Sequence, residues 1–211
     1  MSRRLAWGLL AGALALAGCD NDDKDPDANL PKLELPALAP GAHALRLGGD
    51  AAGASGWAFV ADDGRALVQL APDSDTPTTV VFYRDGARRA WRRVPAAGGP
   101  MTLSAELAEA QTLAAPALAG THEALLGGSP TRFTVAADGT ITAGAGDCQL
   151  SGRIDASKAY GGALPVQAEV AGCAALAGSY RGLAFSDPDA KNARFRVVLH
   201  GVGKTTDFYV F

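Results

Sequence analysis

The sequence lacks the motifs that most catalytic and metal-binding sites need. It has three histidines and three cysteines in 211 residues, and no glutamate or cysteine stands at zinc-ligand spacing beside His43 or His122. No G-x-S-x-G elbow, phosphate-binding glycine loop, G-x-G-x-x-G turn or C-x-x-C pair occurs. The aspartates between Asp20 and Asp27 do not match an EF-hand, because Lys24 occupies a ligand position. We therefore predict no enzyme activity, no cofactor and no metal site.

The sequence also lacks an apolar run long enough to cross a bilayer as a helix. Arg3 and Arg4 precede the uncharged run Leu5–Gly18, which as a helix spans only about 21 Å. The hydrocarbon core of a bilayer is roughly 30 Å thick. A basic start, a short apolar middle and a small-residue exit are typical of an export signal that is later removed. Residues 1–18 are thus predicted to be a cleaved signal helix.

The apolar run ends in Leu16-Ala17-Gly18-Cys19, which resembles the lipobox of bacterial lipoproteins. The resemblance implies cleavage after Gly18, a diacylglyceryl group on the Cys19 thiol and acylation of the new amino terminus. Each buried CH₂ contributes about 0.8 kcal/mol, so several acyl chains hold a protein at a membrane without a transmembrane helix. We predict lipidation at Cys19 and a place in the cell envelope, while Asp20 leaves inner or outer membrane open.

An acidic, proline-containing segment, residues 19–40, follows the cysteine. Like charges extend such a chain and its prolines stiffen it, so we predict a flexible tether. The whole chain has 19 basic and 22 acidic side chains, a formal net charge of −3, and the tether holds much of the acidic excess. The remaining part is close to neutral, which argues against nucleic acid as the main partner.

Two cysteines remain once Cys19 is acylated. Cys148 and Cys173 form an even pair, and in an oxidising periplasm a disulfide is their default state. Closing the loop between them, about 26 residues, should stabilise the fold by roughly 3.5 kcal/mol in the chain-entropy model. We predict this disulfide to be structural.

An internal repeat divides the rest of the chain into two related halves. PALAPGAHALRLGG (Pro36–Gly49) reappears as PALAGTHEALLGG (Pro116–Gly128), and each copy is followed by an aromatic strand with an Asp-Gly turn. The copies are 79 residues apart at their histidines. This spacing predicts a first half over residues 41–115 and a second half over residues 116–211.

Short β-rich runs with period-two alternation dominate both halves. They are separated by Gly, Pro, Asn and Asp, and three Asp-Gly pairs supply the positive φ angles of tight hairpins. A short helix is also compatible with the alanine-rich stretch from Met101 to Ala119. The pattern predicts an all-β protein of twelve to fourteen antiparallel strands, arranged as a sandwich or as small barrels.

The second half resembles a family of β-rich, uncharacterised lipoproteins of Gram-negative bacteria. The resemblance covers about 80 residues and rests on FTVAADGTITAGAGDCQLSGRID followed by VQAEVAGCAALAGSYRGLAF. The matching positions include Asp138-Gly139, Cys148, Gly172-Cys173 and Tyr180. It implies a pairing of Cys148 with Cys173 and an envelope address, and it supplies no catalytic residues.

The strongest candidate binding surface is an arginine-rich hairpin, YRDGARRAWRRV (Tyr83–Val94). Arginine forks suit phosphate and carboxylate groups, and a neighbouring tryptophan can stack on a guanidinium. The alternative is a solvated face that keeps a sheet edge soluble. The candidate patch consists of Arg84, Arg88, Arg89, Trp91, Arg92 and Arg93.

Together these features predict a lipid-anchored envelope lipoprotein that binds a partner or gives structural support without catalysis. An envelope protein or an anionic lipid is the expected partner besides the membrane itself. Two alternatives remain open. A small barrel can carry an apolar ligand in its interior, and an envelope protein of this kind can also act as an enzyme inhibitor.

Overall fold

The computed structural model describes residues 33–34, 37–49, 54–72, 77–87, 89–96, 103–173 and 175–211. For residues 33, 34, 49 and 103–108 only the backbone is described. The predicted signal helix, Cys19 and most of the predicted tether lie outside these ranges.

The described residues form fifteen β-strands and one 3₁₀ turn, Ala156–Lys158, with no α-helix among them. The predicted all-β class is therefore confirmed. The strands are β1 (Leu33–Glu34), β2 (Gly41–Gly49), β3 (Ser55–Val60), β4 (Arg65–Ala71), β5 (Val80–Asp85), β6 (Arg92–Val94), β7 (Leu103–Gln111), β8 (Gly120–Leu126), β9 (Ser129–Val135), β10 (Thr140–Ala143), β11 (Gln149–Ile154), β12 (Leu164–Ala171), β13 (Gly178–Phe185), β14 (Phe195–His200) and β15 (Thr205–Val210).

The strands divide between one open sheet and one closed barrel. β1 to β7 form a seven-stranded sheet in the order β1-β7-β2-β3-β4-β5-β6, and β8 to β15 close into an eight-stranded barrel. In both units the first long strand pairs with the last, β2 with β7 and β8 with β15. The first unit thus follows the strand order of the barrel but stays open between β6 and β7.

The interior of the barrel is filled by apolar side chains. Strand β12 shows the expected alternation, because every second residue from Leu164 to Val170 is buried. An eight-stranded barrel is just wide enough for side chains to fill it. The filling includes four aromatic rings, Phe133, Tyr180, Phe195 and Phe208.

Both faces of the open sheet carry buried residues. One face, which we call the barrel-facing face, holds Trp57, Phe59, Leu67 and Val81 and packs on the outer wall of the barrel. The opposite face, the inner face, has its own apolar cluster. That cluster contains Leu45, Leu47, Ala58, Val68, Leu70 and Phe82.

The contact between sheet and barrel is apolar at its centre. Leu183, Phe185 and Val198 point out of the barrel wall, yet all three are fully buried beneath the sheet. The rings of Phe59 and Phe185 lie 4.8 Å apart between centroids. Burying a large apolar side chain contributes about 1.5–3 kcal/mol, so this contact holds the two units together.

A buried charge cluster lies beside this apolar contact. Arg196 on β14 donates to Asp207 through Nε (2.9 Å) and to Asp187 through Nη1 (2.9 Å). Both carboxylates are nearly inaccessible. The backbone N–H of Thr78, which belongs to the open sheet's half of the chain, donates to Asp207 over 2.7 Å. The cluster therefore links the two units directly.

The repeated histidines have the same local geometry in both halves. The Nε2–H of His43 donates to the carbonyl of Ala39 (2.8 Å), and that of His122 donates to the carbonyl of Leu118 (2.6 Å). Two residues before each histidine stands a glycine with a φ of 142° or 143°. Each histidine thus fixes the chain that enters the first long strand of its unit.

The Asp-Gly turns after β3 and β9 also match in detail. Gly64 donates its N–H to Ala61, and Gly139 donates to Ala136, each over 2.9 Å. The glycines have positive φ angles of 79° and 86°, while no described non-glycine residue has a positive φ. The turn thus needs the left-handed conformation at glycine alone, and the aspartate keeps an ordinary one.

Two further expectations meet the structure with different outcomes. The Cys148–Cys173 disulfide is confirmed, with its Cα atoms 4.6 Å apart. The helix considered for residues 101–119 is wrong over the described part, because Leu103–Gln111 is strand β7. β7 pairs with β2, so sheet formation outweighs the helical preference of its alanines.

Among the residues that the structure describes, no helix is long and apolar enough to span a bilayer.

Replacing both bridged cysteines, Cys148→Ala with Cys173→Ala, should lower the free energy of unfolding by about 3.5 kcal/mol, because the unfolded chain loses a closed loop of this length. Urea unfolding of the oxidised protein and the double variant measures the difference. Reduced wild type is the control and should match the variant. A difference below about 1 kcal/mol would contradict a stabilising role.

Candidate functional site

The arginine-rich hairpin forms one edge of the open sheet. It consists of β5, a connection and the short strand β6, which pairs with β5. Of the six predicted patch residues, the structure describes Arg84, Arg89, Trp91, Arg92 and Arg93. Arg88 lies outside the described residues.

Strand register places these arginines on two different faces. Arg93 lies opposite Phe82, and Arg92 lies opposite Tyr83. Because neighbouring residues of a strand point to opposite faces, Arg84 and Arg93 share the inner face with Phe82. Arg92 shares the barrel-facing face with Tyr83. The sequence predicted one patch, and the structure divides it.

Trp91 contacts one of the two inner-face arginines, Arg84. The Arg84 guanidinium carbon lies 4.9 Å from the centre of the Trp91 ring, within cation–π range. Trp91 itself packs against the apolar cluster of the inner face. We call Arg84, Trp91 and Arg93 the inner arginine cluster. Arg89 and Arg92, in contrast, are exposed.

Three nitrogen atoms of the inner arginine cluster are buried without a hydrogen-bond acceptor among the described residues. They are Nε of Arg84 and both Nε and Nη1 of Arg93. The six ion pairs of the described part involve other arginines and a lysine, and none includes Arg84, Arg89, Arg92 or Arg93. These four arginines thus have no acidic side chain as a partner in the described part.

A second group of polar residues lies where the hairpin meets the barrel wall. The Tyr83 ring stacks on His200 of β14 with centroids 4.2 Å apart, and Arg181 of β13 lies 4.8 Å from the same ring. Arg181 also pairs with Asp85 over 3.4 Å. Burial, and after it the charge of Arg181, lowers the pKa of His200 to about 4, while Asp85 acts in the opposite direction. The imidazole is therefore neutral near pH 7.

A cavity of about 720 Å³ opens beside this junction. Tyr83 and Val94 line it from the sheet, and side chains of β11, β12 and β13 line it from the barrel. The barrel side carries both signs of charge, with Arg153 and Arg181 against Glu169. This mixed lining distinguishes the cavity from the inner arginine cluster, which is purely cationic.

The three histidines have structural contacts. His43 and His122 each donate to a backbone carbonyl, and His200 stacks on Tyr83. Within the described ranges, no three side chains of the metal-binding types (His, Cys, Asp, Glu) come together as a metal site would require. Cys19 and the acidic run Asp20–Asp27 lie outside those ranges.

The charge cluster around Arg196 was not predicted from the sequence. Burial alone would lower the pKa of its guanidinium, but the hydrogen bond and charge of Asp207 and the hydrogen bond of Asp187 raise the pKa above the usual value. Period-two alternation does place Arg196 on the outer wall of the barrel. Nothing in the pattern says that the open sheet covers this wall.

No protein-family model matches the chain, and no significant match is found among curated proteins or solved structures. The site must therefore be interpreted from its own residues.

His200→Phe should make the free energy of unfolding less sensitive to acid. The phenyl ring can still stack on Tyr83, but it cannot bind a proton. In the wild type the unfolded histidine titrates near 6.5 and the folded one near 4. Its contribution to stability is thus complete above pH 6.5 and is lost as the pH falls towards 4.

The wild type should lose roughly 3 kcal/mol more than the variant between pH 7 and pH 4. Urea unfolding of both proteins at pH 7, 6, 5 and 4 measures this, since the other titrating groups are common to both. Parallel stability profiles would show that His200 does not titrate as the structure indicates.

Proposed function

We propose that this chain is a lipid-anchored lipoprotein of the bacterial cell envelope, which acts by binding an anionic partner and not by catalysis. Residues 1–18 are removed and Cys19 carries the acyl chains. The main support for a binding role is the arginine hairpin, because its four described arginines take part in none of the ion pairs of the described part.

Two features support the envelope address. The Leu16–Cys19 segment has the order of a lipobox behind a short signal-like run. The Cys148–Cys173 disulfide belongs to an oxidising compartment, because reducing systems keep cytosolic thiols free. The two features are independent, since one lies in the leader and the other in the barrel.

The packing of the barrel favours surface binding over transport of an apolar ligand. Twenty buried residues form its core, and the cavity of about 720 Å³ lies outside the wall. The arginine hairpin, in contrast, offers unpaired cationic groups at a sheet edge. An acidic envelope protein or an anionic lipid headgroup would supply the missing negative charge.

Lipidation at Cys19 predicts incorporation of labelled palmitate by cells that produce the wild type. Cys19→Ser should abolish the label, because the diacylglyceryl group requires the thiol. Fluorography of the immunoprecipitated protein measures this. Cys148→Ser with Cys173→Ser is the control and should keep the label. Labelling that persists in Cys19→Ser would refute the anchor.

The hairpin should account for the partners recovered with the intact lipoprotein. After crosslinking in cells, changing Arg88, Arg89, Arg92 and Arg93 to serine should reduce the recovery of its main partner several-fold, since four positive charges of the hairpin are lost. Quantitative mass spectrometry of the purified complexes measures recovery.

The matched control removes four other exposed cationic residues that make no ion pair in the described part, Arg46, Lys191, Arg194 and Lys204. This control should recover partners like the wild type. Equal recovery from all three proteins would exclude the hairpin as the contact surface.

A further inference from the structure

The inner arginine cluster places two positive charges in an apolar environment. On β4, Ala66 lies opposite Arg84, and Val68 lies opposite Phe82. Arg84 and Arg93 are diagonal neighbours on β5 and β6, with Cα atoms roughly 7–8 Å apart as for any such pair. Both side chains start from the same face of the sheet, and like charges on one face repel each other more strongly where apolar neighbours lower the local dielectric.

The buried nitrogens also lack the acceptors that such donors normally have. A buried donor without a partner destabilises the folded state, and more so when it is charged. Arg84 Nε, Arg93 Nε and Arg93 Nη1 are in this state among the described residues. Three orphan donor nitrogens on two guanidinium groups thus indicate a site whose ligand is an anion.

The position in the sheet gives such an anion a route of access. β12 holds the same place in the strand order of the barrel as β6 does in the open sheet. β12 pairs with a strand on each side, β11 and β13, whereas among the described strands β6 pairs with β5 alone. Arg93 belongs to β6 and therefore lies at this open edge. A ligand can reach the inner face there without separating paired strands.

The two guanidinium charges and their orphan donors determine which class of anion fits this site. A carboxylate has one negative charge and two oxygens, which leaves one of two guanidinium charges uncompensated. A phosphate monoester carries about −1.5 to −2 charges at pH 7 and three acceptor oxygens. It therefore matches two guanidinium groups and three orphan donor nitrogens, and arginine forks fit its geometry.

We propose that the inner arginine cluster is a binding site for a phosphate monoester group, held between Arg84 and Arg93 beside Trp91. The proposal rests on the proposed function for the anionic partner and deepens it by naming the group that is recognised. The group can come from a lipid headgroup or from a small soluble phosphate compound.

Trp91 provides a direct reporter of this site. The test protein comprises residues 19–211 with Cys19→Ser and Trp57→Phe, so that Trp91 is its only tryptophan. Titration with inorganic phosphate at constant ionic strength should change the Trp91 emission and reach saturation. Titration with chloride at the same ionic strength should produce no saturable change in the emission, because one small ion cannot contact both guanidinium groups.

Two double variants separate the site from general charge. Arg84→Gln with Arg93→Gln should weaken phosphate binding at least tenfold. Lys191→Gln with Lys204→Gln removes the same charge from exposed residues outside the hairpin and should bind like the parent. Circular dichroism confirms folding, and Arg93→Lys, which keeps the charge but loses the fork, should weaken binding if the double variant does not fold.

Vesicles identify the source of the phosphate. If it is a lipid headgroup, the test protein should sediment with phosphatidylcholine vesicles containing phosphatidic acid, and Arg84→Gln with Arg93→Gln should abolish this. If it is a soluble compound, the protein responds to inorganic phosphate and does not sediment. Either result supports the site.

No saturable response to phosphate, or an equal loss in both double variants, would overturn the proposal. The test protein has no acyl chain, so this failure would leave the anchoring of the lipoprotein untouched. A failed palmitate experiment would conversely leave the phosphate titration valid. The two proposals can therefore fail separately.

Discussion

The covering of one barrel wall by the open sheet is the constraint on which the rest of the structure depends. In an isolated barrel, Leu183, Phe185 and Val198 would point into water. The sheet buries them under Trp57 and Phe59. The same sheet also removes Arg196 and His200 from solvent. The buried charge of Arg196 therefore requires two carboxylates as partners, and the His200 ring stays neutral near pH 7. The apolar contact thus dictates the chemistry at its margins.

Local rules predicted the class and many of its details. Period-two alternation predicts strands at Arg132–Ala136, Pro165–Val170 and Asp207–Phe211, and β9, β12 and β15 match them to within a few residues because each of these strands has a clear buried side. Asp-Gly marked the turns after β3 and β9, since a glycine is required where φ is positive. These features depend only on neighbours in sequence.

The long-range arrangement could not be predicted in the same way. Alternation assigns residues to two faces of a strand, but it does not say which faces meet another sheet. Arg196 therefore looked like an ordinary outward residue, although it is almost fully buried. The arginine hairpin was foreseen as a cluster, but only the pairing of Arg93 with Phe82 divides it between two faces. A shift of one residue in that register would exchange the faces.

Strand β1 limits how the molecule can move if Cys19 is its anchor. The two residues of β1, Leu33 and Glu34, pair with β7 at the edge of the open sheet. The segment from Cys19 to Leu33 would then join the lipid surface to the sheet, and at polyproline extension it would reach about 43 Å. It enters the same sheet that carries the arginines. An anchor at Cys19 would consequently limit how far this sheet can move from the lipid surface.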